Sequence, residues 1–167
     1  MSLSDDRSLT TNVFVRPFLG QYYHDPLQNI QHQATVAVGA GHYIYDRPHL
    51  QWQIFGGPAY QYTKFDTTEA GQSREDSRAA IVLQSSYDKK LTSRLDLMLQ
   101  YQGILTSKDA GLYIQHAIGS LEFKLTHTLD LDLSLICDRT AQPQANSSGH
   151  VPKRDDFQVV LSLGVQF

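Results

Sequence analysis

The chain has 167 residues, with 14 Lys and Arg against 17 Asp and Glu, a formal net charge of −3 and one cysteine. This balance gives no support for nucleic-acid binding, which needs clustered positive charge, and a lone Cys137 excludes an internal disulfide or a cysteine-based zinc site. No segment approaches the roughly 18 consecutive apolar residues of a membrane-spanning helix. This criterion does not apply to membrane-spanning β-strands, in which apolar and polar residues alternate.

The N-terminus begins Met-Ser-Leu-Ser-Asp-Asp and contains neither the basic nor the apolar region of a secretion signal. We expect residues 1–10 to be disordered or left over from an expression vector. Residues 11–167 are expected to form a single β-barrel domain.

Alternation of apolar and polar residues is the dominant pattern, and few windows show the spacing of an amphipathic helix. The pattern predicts about eight antiparallel strands in up-and-down order, near residues 11–23, 33–45, 50–64, 78–87, 95–102, 112–125, 129–135 and 157–167. In the sixth strand the apolar face changes near Gly119, which predicts a β-bulge there.

The links between these strands alternate in length. Short turns at 46–49, 88–92 and 126–128 separate longer links such as 65–77 and 138–156. In an up-and-down barrel this alternation places the short turns at one rim and the long loops at the other, as in outer-membrane barrels.

The less apolar face indicates which side of the barrel points outward. A soluble barrel shows this face to water and should carry Lys, Glu and Thr there. Here it holds mostly Gln, Ser, Gly, Ala and Asp, while Lys and Arg lie mainly near strand ends. We therefore expect a polar lumen and an apolar exterior, although alternation alone leaves the reverse arrangement open.

Most of the nine tyrosines lie near strand ends, where membrane barrels carry girdles of interfacial aromatic residues. The predicted girdle residues are Tyr43, Tyr45, Tyr60, Tyr62 and Tyr101. Tyrosine is common in strands of every kind, so this pattern has limited specificity.

Glycine and histidine patterns do not predict a cofactor or metal site. The Gly-containing segments 39–41 and 56–58 lack the strand–turn–helix context of a phosphate loop and predict close backbone packing instead. The seven histidines show no metal-ligand spacing.

Hydroxyl and carboxylate residues do not predict catalysis either. Ser85 or Ser86 would become a neighbour of His116 in some strand pairings, but no Gly-x-Ser-x-Gly elbow is present. Asp130 and Asp132 are expected to face the lumen and to pair with Arg16 or Arg78. Glu122 and Lys124 are expected to form another lumen pair.

Two segments, 24–65 and 153–167, resemble a bacterial family of salt-induced outer-membrane proteins, a domain family of unknown function. The first is similar to the family's paired Gly-x-Gly-Tyr and Gly-Pro-x-Tyr strands, here GAGHYIY and GGPAYQY, with His42 where the family usually has an aromatic residue. The second resembles its lysine-aspartate loop and a terminal strand that ends in Phe. The resemblance begins near residue 12 and implies the C-terminal part of a barrel, since family members usually have further strands before this region.

The resemblance also implies a role for the last strand. Outer-membrane barrels end in an aromatic residue preceded by apolar residues at every second position, and the assembly machinery recognises this ending. The corresponding residues are Phe167, Val165, Leu163 and Leu161.

We expect a non-enzymatic barrel of the Gram-negative outer membrane with a structural or envelope-stress role. Its partners would be the lipid bilayer and the outer-membrane assembly machinery, and no nucleic acid. One alternative is a soluble lipocalin-like barrel that holds an apolar ligand inside. A second is a lipid-modifying membrane-barrel enzyme that uses the serine and histidine residues named above.

Overall fold

One antiparallel sheet contains every strand that the computed structural model describes, within residues 2–25, 30–65, 73–106, 113–141, 151 and 153–165. Its order follows the chain: β1 (Ser2–Ser8), β2 (Val13–Asp25), β3 (Ile30–Arg47), β4 (Leu50–Phe65), β5 (Glu75–Lys90), β6 (Leu95–Leu105), β7 (Tyr113–Lys124), β8 (Leu129–Thr140) and β9 (Asp155–Val165). The predicted all-β, up-and-down architecture is confirmed. In these ranges no helix is long and apolar enough to cross a membrane.

The N-terminal segment forms a strand and is not the disordered tail that was one of the two expectations for it. Residues 2–8 form a ninth strand, which pairs with β2 from Ser2↔Gln21 to Ser8↔Phe14. Over the described residues β1 pairs with β2 alone and β9 pairs with β8 alone, so the sheet has two free edges.

Three of the short turns share one hydrogen-bond pattern. Each begins Leu-Thr, and the two successive N–H groups donate to the carbonyl of the residue that opens the next strand. The pairs are Leu9 and Thr10 to Val13, Leu91 and Thr92 to Leu95, and Leu125 and Thr126 to Leu129, in each case at 2.9 and 3.1 Å. With the turn at 48–49, these turns lie at one rim, and the longer links lie at the other.

The predicted bulge at Gly119 is wrong. β7 pairs in unbroken register with β6 and with β8, and Gly119 lies opposite Leu99 and Leu135. A Cβ at Gly119 would be 3.4 Å from Leu99 Cδ2, so the glycine leaves space for that leucine. The apparent change of face arises because Ile114 and Ile118 are apolar residues on the otherwise polar face.

The strands are staggered as they are in a barrel. One ladder of directly paired residues crosses β2 to β9 through Val13, His42, Ile54, Ser85, Tyr101, Ala117, Cys137 and Phe157. The ladder starts at the short-turn end of β2. It meets β8 at Cys137, eight residues from Leu129, which is the short-turn end of β8. At about 3.3 Å per residue and about 4.8 Å per strand spacing, this stagger corresponds to a strand tilt of about 40°.

The sheet is also curled, and the core lies inside the curl. The Gln21 side chain on β2 is hydrogen-bonded at 2.8 Å to that of Gln102 on β6, although four strand spacings would cover about 19 Å in a flat sheet. The buried core lies on this concave face and comprises Phe14, Leu19, Ala37, Phe55, Ala80, Val82 and Ile104.

A close approach of β3 and β4 explains the two glycine-containing segments. A Cβ at Gly57 would lie 2.0 Å from the Val38 carbonyl oxygen, and one at Gly39 would lie 2.3 Å from the Gly56 carbonyl oxygen. Because these obstacles are backbone atoms, neither can rotate away. The predicted close backbone packing is therefore present where the sheet curls, beside Pro58, which has no N–H to donate.

We predict that Gly57→Ala lowers the free energy of unfolding by about 2 kcal/mol or more, because the new methyl group must displace backbone. The matched control is Gly164→Ala, whose Cβ would meet, among the described residues, only Asp130 Cβ, at 3.8 Å. Urea unfolding followed by fluorescence of the single tryptophan, Trp52, measures both. Equal stability of the two variants would contradict the close approach.

Candidate functional site

The two faces of the sheet differ in composition and exposure. On the concave face Phe14 and Val82 are fully buried, whereas on the convex face Val36 is 49%, Ile81 54% and Leu161 66% exposed. Large apolar side chains thus point away from the core along most strands. The convex face therefore carries the apolar surface that a soluble barrel would place inside.

Charge on the convex face of β3 to β9 is confined to strand ends. Examples are Lys64, Lys89, and the Arg139 guanidinium, which lies 3.5 Å from the Asp155 carboxylate. Between the ends, β8 and β9 carry an uninterrupted series of apolar residues, namely Leu129, Leu131, Leu133, Leu135 and Cys137, and Phe157, Val159, Leu161, Leu163 and Val165.

The apolar band on β8 and β9 is somewhat shorter than the band that membrane barrels carry. Each series covers about 27 Å along its strand, or about 20 Å across a layer once the tilt of about 40° is included. The apolar band of membrane barrels is about 25 Å tall. Soluble monomeric proteins seldom expose a continuous apolar patch as large as this one.

The structure divides the predicted girdle tyrosines between the two faces. Tyr45, Tyr60, Tyr62 and Tyr101 lie on the convex face, and the hydroxyl of Tyr101 is hydrogen-bonded to that of Tyr113. Tyr43 instead lies on the concave face, with its ring centroid 5.0 Å from that of Phe14. Tyr43 therefore packs in the core and does not belong to an outer belt.

An aromatic cluster that lies near the short-turn rim was not predicted from the sequence. Trp52 stacks on Tyr45 with centroids 6.3 Å apart and meets Tyr87 edge-on at 6.2 Å. Its indole N–H donates to Ser85 Oγ at 3.1 Å. The available signal was the single tryptophan near the start of a strand, since Trp prefers membrane interfaces.

A network centred on Arg16 spans the concave face. Its guanidinium makes a bidentate pair with the Asp6 carboxylate at 2.5 and 2.8 Å and donates to Gln84 Oε1 at 2.8 Å. Gln84 in turn donates to Gln102 at 3.0 Å, and Gln102 exchanges hydrogen bonds with Gln21. Arg16 thus links β1, β2 and β5, and its guanidinium carbon is 4.6 Å from the centre of the Phe55 ring.

The expected ion pairs of the lumen are found only in part. Asp130 and Asp132 do lie on the concave face, but the partner of Arg16 is Asp6, and Arg78 has an ion pair with Asp76 at 2.5 Å.

Lys124 occupies an acidic part of the concave face near the short-turn rim. Its ammonium is 2.7 Å from the Asp96 carboxylate and 3.7 Å from that of Glu122. The predicted pairing of Glu122 with Lys124 is therefore present.

A cavity of about 220 Å³ lies beside the Arg16 network, and its surface is about equally polar and apolar, since residues such as Gln53, Gln100 and His116 line it together with Phe55. In the part of the chain that the structure describes, no group of three His, Cys, Asp or Glu residues is arranged to hold a metal ion.

The candidate serine–histidine pair is not assembled. Ser85 accepts the hydrogen bond from Trp52 on the convex face, and the Ser86 hydroxyl donates to Asp88 at 3.3 Å. His116 is hydrogen-bonded to Asp138 instead. Ser85, Ser86 and His116 do all border the cavity beside the Arg16 network, but each of the three has a different hydrogen-bond partner.

The predicted assembly-signal residues lie at the free edge of the sheet. Leu161, Leu163 and Val165 are exposed on the convex face of β9. Phe167 lies outside the described residues.

The model of a family described as protein of unknown function, DUF481, matches residues 1–167. The chain therefore belongs to this family. No curated protein and no solved structure shows significant similarity to it.

We predict that Arg16→Met lowers the free energy of unfolding by about 3 kcal/mol, because it leaves the Asp6 carboxylate and the Gln84 amide oxygen without their partner in a partly buried network. The control is Arg7→Met, which removes an ion pair whose side chains are 72% and 58% exposed and should cost less than about 1 kcal/mol. Urea unfolding curves of the two variants provide the comparison. A smaller loss for Arg16→Met than for Arg7→Met would contradict the structural role of the network.

Proposed function

We propose that this member of the DUF481 family is a transmembrane β-barrel protein of the Gram-negative outer membrane, with a structural role in the envelope and no enzymatic activity. The observation that carries the proposal is the inverted distribution of polarity. Leucine and valine cover the convex face, whereas Arg16, glutamines and carboxylates occupy the concave face. Hydrocarbon around the barrel accounts for both faces at once.

The content of the concave face favours a structural role over transport. Phe14, Phe55 and Val82 fill the curl, and the Arg16 network crosses it. Small barrels filled in this way leave little room for a solute path. The remaining cavity of about 220 Å³ is partly closed by hydrogen-bonded amides.

The resemblance of segments 24–65 and 153–167 to salt-induced outer-membrane proteins supports a role in envelope stress. A change in external salt alters the load on the envelope, and a rigid, filled barrel would reinforce it. The outer-membrane assembly machinery is the second partner, and it would recognise the terminal strand through Leu161, Leu163, Val165 and Phe167.

The soluble alternative receives less support from the two faces. A lipocalin-like barrel needs an apolar interior for its ligand, whereas here Arg16 and several glutamines border the concave cavity and large apolar side chains are exposed on the convex face. A soluble, monomeric chain that binds an apolar fluorophore in a saturable way, without detergent, would favour this alternative.

We predict that Leu133→Arg, on the convex face, weakens folding into phospholipid vesicles by about 2–4 kcal/mol, because it places a charge in hydrocarbon. Gln100→Arg is the control, since the side chain at position 100 faces the polar cavity. The measurement is the fraction of heat-modifiable, protease-resistant chain after refolding across a urea series. Equal folding of both variants, or wild-type chain that never enters vesicles, would contradict the proposal.

A further inference from the structure

The nine-stranded sheet cannot close on itself with an antiparallel pair. Because the order is up-and-down, β1 and β9 both run from the long-loop rim to the short-turn rim, whereas β2 runs the opposite way. Pairing of β9 with β1 would be parallel, and pairing of β9 with β2 would be antiparallel. Single-chain bacterial outer-membrane barrels have even numbers of antiparallel strands.

The two free edges differ in how they are protected. β1 has seven residues, an irregular register between Asp5 and Arg7, and an ion pair of these two residues at 3.3 Å on its convex side. Charge, shortness and irregularity are features that protect an edge from further pairing. Charge on the convex face is also unfavourable where the other strands would meet lipid.

From Phe157 onward, the β9 edge has none of these protections. β9 pairs with β8 in unbroken register from Leu129↔Val165 to Arg139↔Asp155. Its convex residues Phe157 to Val165 are all more than half exposed at every second position. In a membrane its unpaired N–H and C=O groups would need a partner strand.

The stagger of the sheet brings β9 to the level of β2. The ladder that begins at Val13 meets β9 at Phe157, eight residues from Val165 at the short-turn end. Closure of eight strands at a tilt of about 40° requires a stagger of about ten residues. With this stagger Val165 would lie opposite Val15, and with a stagger two residues shorter Leu163 would lie there and Ser162 opposite Arg16.

Charge on the concave face complements the same pairing. The described residues of β7 to β9 place five carboxylates on the concave face, namely Glu122, Asp130, Asp132, Asp138 and Asp156. Among these described residues, Lys124 is the one Lys or Arg on that face. If Ser162 lies opposite Arg16, the next strand brings Asp132 close as well, because Asp132 pairs directly with Ser162. Two strand spacings then separate Asp132 from Arg16, which is about 10 Å. An extended arginine can bridge this separation, so Asp132 can take the place of Asp6.

Together the edges, the stagger and the charges point to one rearrangement, which rests on the membrane-spanning function proposed above. We propose that β9 replaces β1 at the edge of β2 and closes β2 to β9 into an eight-stranded antiparallel barrel. β1 then acts as a temporary cover of the β2 edge, which protects it until β9 arrives.

Cysteine crosslinking distinguishes the two partners of β2. In a Cys137→Ser background, Val15→Cys is combined with Arg7→Cys, its neighbour on β1, or with a single cysteine on β9 at position 161, 163 or 165. Disulfide formation under mild oxidation is measured in detergent micelles and in vesicles. We expect at least one β9 cysteine to crosslink with Val15→Cys at least tenfold more than Arg7→Cys does.

The positive control is Leu133→Cys with Leu161→Cys, which are direct neighbours on β8 and β9. If this pair crosslinks while Val15→Cys reaches only Arg7→Cys, or links to a second chain, the strand replacement is contradicted. Vesicle insertion is scored separately by protease resistance. If the chain inserts into vesicles but shows only the Arg7 crosslink, the strand replacement is contradicted and the membrane function is not. If the β9 crosslink forms but the chain does not insert, the membrane function is contradicted and the strand replacement is not.

Single charge neutralisations give a second readout. Asp6→Asn weakens the hold of β1 on Arg16 and should increase the β9 crosslink severalfold. Asp132→Asn removes the replacement carboxylate and should decrease it severalfold. Opposite changes, or equal effects of the two variants, would overturn the exchange of Arg16 partners.

Discussion

Contact between β2 and the strands β5 and β6 across the concave face is the constraint on which the rest of the structure depends. The Arg16–Gln84 and Gln21–Gln102 hydrogen bonds hold the sheet in a tight curl. That curl buries Phe14 together with the aromatic and aliphatic residues of the core. It also determines which residue of each alternating pair points inward.

Inside the curl, polar groups bond to one another beside a small apolar core, and most of the other large apolar residues lie outside. A buried amide or charge without a partner destabilises the fold. Amides and charges that bond to each other replace the hydrogen bonds to water that burial removes. The outer residues, such as Val36 and Leu161, then need an apolar surrounding that the chain itself does not supply. The proposed membrane location would supply that surrounding, so the polarity of the two faces and the proposal belong together.

Alternation in the sequence predicts eight of the nine strands and the pattern of short and long links, because period-two polarity is a local property. It misses β1, since SLSDDRS carries one apolar residue in seven; the Leu9-Thr10 turn, which repeats at Leu91 and Leu125, was the available signal. The same alternation places Tyr43 with the inner residues, although its nearness to a strand end suggested the girdle. The Arg16 network joins residues that are 10 and 68 positions apart, and only strand register and curl bring them together.

The central claim is that the convex face contacts lipid chains and the concave face does not. A single tryptophan can be moved between faces in a Trp52→Phe background, to position 133 by Leu133→Trp or to position 100 by Gln100→Trp, and its quenching by phospholipids brominated on the acyl chains measured. The account predicts strong quenching at position 133 and little at position 100. Equal quenching at the two positions, or stronger quenching at position 100, would contradict it.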